Sequence, residues 1–183
     1  MDHPHIIKIY EVFQYNSSYY IVTEYCEGGS LSKLIKQQLI SSKHVQIIMK
    51  QLFSALAYIH SLNIMHRDIK LDNILLAYRL SNQNCERIDI RLIDFGLSKE
   101  FQGRQIKDRE RIGTYTYMAP EVIDGVYSPK CDMWSAGIVF YYLVTRHHPF
   151  KVKTKEETFE RIKNEDLRLS GKDVLIEGTN GKR

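Results

Sequence analysis

Between His66 and Asn73 the chain places an imidazole, a guanidinium, two carboxylates (Asp68 and Asp72), the Lys70 ammonium and the Asn73 carboxamide within eight positions. Groups of these types accept and deliver protons and hold anions. The flanks, Ile64-Met65 and Ile74-Leu75-Leu76, favour burial. A loop this polar, pinned at both ends by apolar runs, has the makings of a rigid site rather than a solvated linker.

The elements around it must do the positioning. Alternation rich in Ile, Val and Tyr from His5 to Tyr25 predicts a β-hairpin, Ile6 to Phe13 and Tyr19 to Glu24, turning at Asn16-Ser17-Ser18. Gly28-Gly29 ends it. A short helix is expected over 31–38 and a longer one over 43–62, capped by Ser41-Ser42, with Val45, Ile48, Met49, Leu52, Leu56 and Ile59 on one face. Extended runs are expected at 74–77 and 88–93, joined by a polar loop, Ser81 to Glu86. Residues 97–118 lack periodicity and read as a solvated loop. Ser128-Pro129 opens a helix over 130–145 that is apolar nearly all round and should be buried on most faces. Thr154 and Glu157 form a capping-box pattern for a last helix reaching about Ile162, and a flexible tail is expected from 171 to 183.

The pattern His66-Arg67-Asp68-x-Lys70-x-x-Asn73 resembles the catalytic loop of eukaryotic protein kinases. Asp94-Phe95-Gly96, Ala119-Pro120-Glu121 and Asp132-Met133-Trp134-Ser135-Ala136-Gly137 follow in that family's order. Each tripeptide is common by itself; four in sequence are specific. The resemblance implies an α+β, mainly α fold, a kinase-like C-lobe carrying only the last β-hairpin of the N-lobe. It divides the chain into a partial kinase domain over 1–170 (N-lobe remnant and hinge 1–26, C-lobe 27–170) and the tail.

The resemblance also implies roles. ATP and Mg2+ would be the cofactors, with Asn73 and Asp94 as metal ligands, Asp68 orienting the substrate hydroxyl and Lys70 neutralising the transferred phosphate. Lys70 and Thr114 match the type that acts on Ser or Thr of protein substrates. Thr23-Glu24-Tyr25-Cys26 is similar to the hinge: the Glu24 and Cys26 backbone would meet adenine, Thr23 would be the gatekeeper, and Leu75 would lie beneath the base. Ile9, His66 and Phe95 match a hydrophobic column between lobes, and Gly96 completes the metal-binding tripeptide. Asp132 would accept bonds from the catalytic-loop backbone. Arg67 matches a residue that pairs with an activation-segment anion. Because no Ser, Thr or Tyr lies between Ser98 and Thr114, Asp108 and Glu110 are the expected anions and no phosphorylation there is required.

Glu24 to Ser30, Asp94 to Lys99 and Cys131 to Ser135 most resemble the calcium/calmodulin-dependent and calcium-dependent kinases. No EF-hand loop occurs, so a calcium-sensing module would lie outside this chain. Asp72, with Ser30 in place of an acid, implies a preference for basic substrates. The glycine-rich loop, its strand lysine and the arginine partner of Glu121 are not in the sequence, so the resemblance is to a domain cut at both ends. Weak stand-alone activity is expected, and a kinase-like binding or regulatory module is the alternative.

The bulk composition agrees with a soluble domain. In 183 residues, 43% are hydrophobic and 26% charged, and the net charge is only +4, which argues for neither nucleic-acid nor membrane partners. Three scattered cysteines, Cys26, Cys85 and Cys131, without C-x-x-C spacing, fit a reduced intracellular setting, cytoplasmic or nuclear, and no metal site of their own.

Overall fold

A computed structural model describes residues 1–37, 39–80, 88–103, 106–107 and 112–169, with only the backbone of Ser42, Ile106 and Lys107. The expected 81–86 loop with Cys85, the cations Arg104, Arg109 and Arg111, the anions Asp108 and Glu110, and the expected tail lie outside the described residues.

The chain opens on a hairpin, β1 (Ile9–Tyr15) and β2 (Ser18–Thr23), turning at Asn16-Ser17 with Asn16 left-handed (φ 52°). β1 starts later than predicted because the residues before it join the body of the fold. Ile6 is buried and forms a parallel bridge to Leu92, while Leu92 N donates to His5 O and Ile7 N to Leu92 O. Every residue of both hairpin strands is exposed. Two residues, β3 (Gly29–Ser30), follow, and then α1 (Leu31–Lys36), whose N-cap Ser30 accepts from Lys33 N. Gly28 is required here: a Cβ would lie 2.4 Å from the Tyr78 carbonyl oxygen and 2.5 Å from Leu76 Cβ.

The long helix α2 (Ser42–Ser61) buries all six predicted apolar positions and packs on the last but one helix. Its N-cap is Ser41, boxed with His44; its end is closed by Asn63 in the left-handed region (φ 59°), whose amide donates to His60 O. β4 (Ile64–Met65) then leads into the polar loop, and a 3-10 turn, Leu71–Asn73, leads out of it into β5 (Ile74–Leu76). β5 pairs antiparallel with β6 (Ile90–Leu92) and with β3, giving the order β3-β5-β6. Gln51 on α2 clamps β6: its amide donates to Ile88 O and accepts from Ile90 N, both at 2.9 Å.

The described part of the 97–118 stretch is more ordered than a solvated loop. β7 (Lys99–Glu100) pairs with β4, and β8 (Ile106–Lys107) pairs with β9 (Val126–Tyr127), on either side of the short helix α3 (Pro120–Ile123). Backbone pairing to distant partners, invisible to periodicity, supplies this order.

α4 (Lys130–Thr145) has the predicted bounds, with the Ser128 hydroxyl accepting from Lys130 N. Its burial is less complete than predicted, since Met133 and Phe140, one heptad apart, stay exposed. α5 (Lys155–Asn164) runs slightly past the predicted end, with Thr154 Oγ1 accepting from Glu157 N at 3.2 Å. The core is one contiguous cluster from α1, α2, the β5/β6 pair, α3, α4 and α5. The architecture is α+β and mainly α, as expected, and no described helix is long and apolar enough to cross a membrane.

Candidate functional site

The polar loop is held from beneath by one carboxylate. Asp132, in the first turn of α4 and 1% exposed, accepts from His66 N (2.9 Å) and His60 Nε2 (2.8 Å) on Oδ2 and from Arg67 N (2.9 Å) on Oδ1. These bonds hold Arg67 in the left-handed region (φ 66°), a conformation that a residue with a Cβ adopts only when its surroundings insist. A buried acid with three donors is satisfied; one with fewer would be costly.

Above it, His66 is fully buried. Its Nε2 donates to Ile93 O (3.0 Å) and its Nδ1 accepts from Asp68 N (3.3 Å), which fixes the tautomer. Burial holds the imidazole below its ordinary pKa of 6.5, against the pull of Asp132 and the Ile93 carbonyl, so it is neutral at pH 7. Its ring meets Phe95 at 4.8 Å between centroids. Ile9, the third expected member of that column, is 52% exposed on β1.

Asp68 is the most heavily bonded side chain of the loop. Oδ2 accepts from Lys70 Nζ (2.6 Å) and Asn73 Nδ2 (3.1 Å); Oδ1 accepts from Thr114 N (3.0 Å) and Thr114 Oγ1 (2.8 Å). Lys70 Nζ also donates to Thr114 Oγ1 at 3.1 Å, closing a three-membered ring of contacts. Burial alone would push the Asp68 carboxyl up, but the bonds from Lys70 and Thr114 outweigh it and hold the carboxyl below the usual carboxylate range. Gly113 makes the approach possible: it has φ 109°, and a Cβ would stand 2.5 Å from Arg67 O.

Asn73 spends both amide hydrogens on Asp68, to its carbonyl (2.9 Å) and its carboxylate, so its Oδ1 is the atom left for an oxygen-seeking ligand. Asn73 O accepts from Ile93 N at 3.0 Å, which brings the next residue, Asp94, to the same end of the β5/β6 pair. Asp94 is exposed and left-handed (φ 63°), and its Oδ1 accepts from Gly96 N at 3.2 Å. One carboxylate and one carboxamide oxygen suit Mg2+, which keeps waters and takes phosphate oxygens. No group of three metal-binding acids, histidines or cysteines occurs among the described residues.

Arg67 turns toward the segment after Asp94: Nε donates to Leu97 O at 2.6 Å, and the guanidinium sits 5.4 Å from the ring centre of Tyr127, whose hydroxyl accepts from Ile112 N. Its expected anions, Asp108 and Glu110, lie outside the described residues.

Thr23 closes β2, exposed, with Oγ1 donating to Glu24 O. Leu75 is half-buried between β3 and β6. The Cys26 thiol is pushed up by burial and by Glu24, so it is protonated at neutral pH. Glu121 lies on α3 and makes no ion pair among the described residues. Sequence reasoning missed His60, Tyr127 and Arg91, whose Nε reaches both oxygens of Glu24 at 3.0 Å. Arg91 had a signal, since it is the one polar residue in an Ile-Arg-Leu strand; the other two are contacts between elements distant in sequence.

Comparison with known proteins agrees with this geometry. The family model described as protein kinase domain matches residues 1–177. Calcium-dependent protein kinase 5 of Plasmodium falciparum (isolate 3D7) is 43% identical over 164 residues, covering 88% of this chain and 28% of that protein. Calcium-dependent protein kinase 3 of Plasmodium yoelii yoelii is 37% identical over 174 residues (94% and 31%), and calcium-dependent protein kinase 6 of Plasmodium berghei (strain Anka) is 40% identical over 167 (91% and 11%). The chain thus spans under a third of the length of these curated relatives. With Asn73 bonded to Asp68 and to the residue before Asp94, and with these matches, the chain belongs to the protein kinase family, alongside calcium-dependent members of it.

Proposed function

We propose that the chain is the catalytic-lobe portion of a serine/threonine protein kinase, with residues 1–26 supplying the last N-lobe hairpin and hinge and 27–170 the C-lobe. The observation that carries this is the Asp68 carboxylate, buried, ionised and bonded at once by Lys70, Asn73 and Thr114. A carboxylate held in this way is oriented to accept the hydrogen of a Ser or Thr hydroxyl, and the Lys70 ammonium 2.6 Å away is placed to meet negative charge on a phosphoryl group. Asn73 Oδ1 and Asp94 would hold Mg2+, whose chemistry is to clamp the phosphates and neutralise their charge. The backbone of Glu24 and Cys26 would take the adenine, over Leu75. Calcium control, named in the relatives, would come from a module outside this chain.

The test is Mg2+-dependent transfer of 32P from ATP to Ser- and Thr-containing basic peptides, with Asp68→Asn as the control. The proposal expects labelling on Ser or Thr only, reduced about 10²–10⁴-fold by the substitution. Labelling that survives Asp68→Asn at full rate would refute it.

A second reading, a kinase-like binding module, is favoured by one feature: the β1/β2 hairpin exposes Ile9, Tyr10, Val12, Phe13, Tyr19 and Ile21 to solvent. It predicts partner association that Asp68→Asn leaves intact, with no phosphate transferred by either form.

A further inference from the structure

The hairpin that carries the hinge has no buried strand residue, so apolar packing does not hold it in place. Backbone bonds tie the chain to the sheet on either side of the hairpin, at His5 to Ile7 and at Glu27 and Gly28, and a chain of charges ties the end of β2 itself. Arg91, the middle residue of β6 and 13% exposed, aims its Nε at both carboxylate oxygens of Glu24 (3.0 Å each) and its Nη1 at Asp89 Oδ1 (2.7 Å). Asp89 in turn stands 3.4 Å from His5 Nδ1. Glu24, 19% exposed, also receives Lys8 N on Oε1 (2.9 Å), and its own amide donates to Lys8 O (2.9 Å). Both ends of Glu24 are therefore committed to protein, which leaves the backbone of the hinge rather than this acid to meet a ligand.

The position of Arg91 gives this clamp a second use. In the β5/β6 ladder Arg91 stands opposite Leu75, and directly opposed residues of an antiparallel pair project from the same face. The guanidinium thus ties β6, the strand paired with the one that bears Leu75, to the residue that begins the hinge.

We propose that Arg91 is a positioning residue for the nucleotide base: by gripping Glu24 from the strand beside Leu75, it sets the separation between the hinge backbone and the floor of the base pocket. This rests on the nucleotide-binding reading above. Arg91 touches no reacting atom; it acts through Glu24. Lysine is a poor replacement, because a single ammonium cannot serve Glu24 and Asp89 with the geometry of a guanidinium fork.

Two measurements test it on the chain as it stands. In the first, amide hydrogen exchange is followed without nucleotide in the wild type, Arg91→Met, Arg91→Lys, Glu24→Gln and the Arg91→Met/Glu24→Gln double variant. Loss of a charge-assisted pair should speed exchange of the Lys8 and Glu24 amides about tenfold, with Arg91→Lys intermediate, α2 and α4 unchanged, and the double variant no faster than the single ones. In the second, calorimetry compares Mg-ATP with magnesium tripolyphosphate, which lacks the base: Arg91→Met should weaken the former about tenfold and leave the latter unchanged. Unaltered exchange at Lys8 and Glu24, or additive effects in the double variant, would overturn the clamp. Equal weakening of both ligands would overturn the base-positioning role. A wild-type chain that binds neither ligand overturns the nucleotide reading and that role with it, while the exchange experiment still decides whether Arg91 and Glu24 act as a pair.

Discussion

Asp132 offers the sharpest perturbation, because so much of the loop hangs on one side chain. Asp132→Ala strips three donors, His66 N, Arg67 N and His60 Nε2, of a partner that is 1% exposed. Hydrogen bonds to a charged group contribute about 1.5–3 kcal/mol each, but they share one acceptor and do not add. Each buried donor left unsatisfied costs about 1–3 kcal/mol, and with partial relaxation around the three a total of roughly 3–5 kcal/mol is expected. In a chain of this size each kcal/mol lowers Tm by about 2–4 °C, so a fall of about 6–20 °C is expected. Relief of the left-handed backbone of Arg67 offsets part of this loss. Asp132→Asn should fall between: if its oxygen keeps the two donors on Oδ2, its amide nitrogen faces the Arg67 N–H, for a loss of about 1–3 kcal/mol. Urea unfolding gives the energies, and amide exchange at His66 and Arg67 reports the loop directly. An Asp132→Ala variant within about 1 kcal/mol of wild type, with both amides still protected, would refute the reasoning.

Other outcomes follow from the same contacts. Gly113→Ala puts a methyl group 2.5 Å from Arg67 O at φ 109°, so a loss of about 1–3 kcal/mol is expected in urea unfolding, with the Asp68 carboxyl titrating closer to its ordinary range as Thr114 retreats. Acid should destabilise the fold early: burial lowers the pKa of His66, and that of His148 to about 4, from 6.5. The unfolded chain then binds more protons, and stability is complete above pH 6.5 and falls between pH 6.5 and about 4, a slope that His148→Gln should reduce. Phosphate incorporated between Ser98 and Thr114 should not be needed for activity, since no hydroxyl residue lies there; mass spectrometry and phosphatase treatment of active protein check this, and loss of activity on dephosphorylation of that stretch would contradict it.

How far residues alone foretold this molecule depends on whether the information was local. The periodicity of α2 and α4 and the caps at Ser41 and Thr154 are written in neighbouring residues, and those helices appear within a residue or two of their expected bounds. The order of the four motifs led to the expectation that Asp68, Asn73 and Asp94 converge on one pocket; the structure bonds Asn73 to Asp68 and sets Asp94 two residues beyond β6. What escaped is non-local. The β4/β7 and β8/β9 ladders join segments tens of residues apart, so 97–118 had no periodic signal to give. His60 and Tyr127 matter because of what tertiary packing sets against them, Asp132 and Arg67. Ile6 looked like strand and was recruited instead by Leu92.

Phosphoryl transfer by this chain requires the loop and Asp94 to form one metal–nucleotide site. Calorimetric titration of the chain with ATP, with and without Mg2+, tests it in the wild type and in Asp94→Ala, an exposed position where loss of the Gly96 bond and the left-handed backbone should cost no more than about 1–2 kcal/mol in urea unfolding. The prediction is binding that requires Mg2+ and that Asp94→Ala abolishes. Binding indifferent to both the metal and the substitution, or no binding by the wild type, would contradict it.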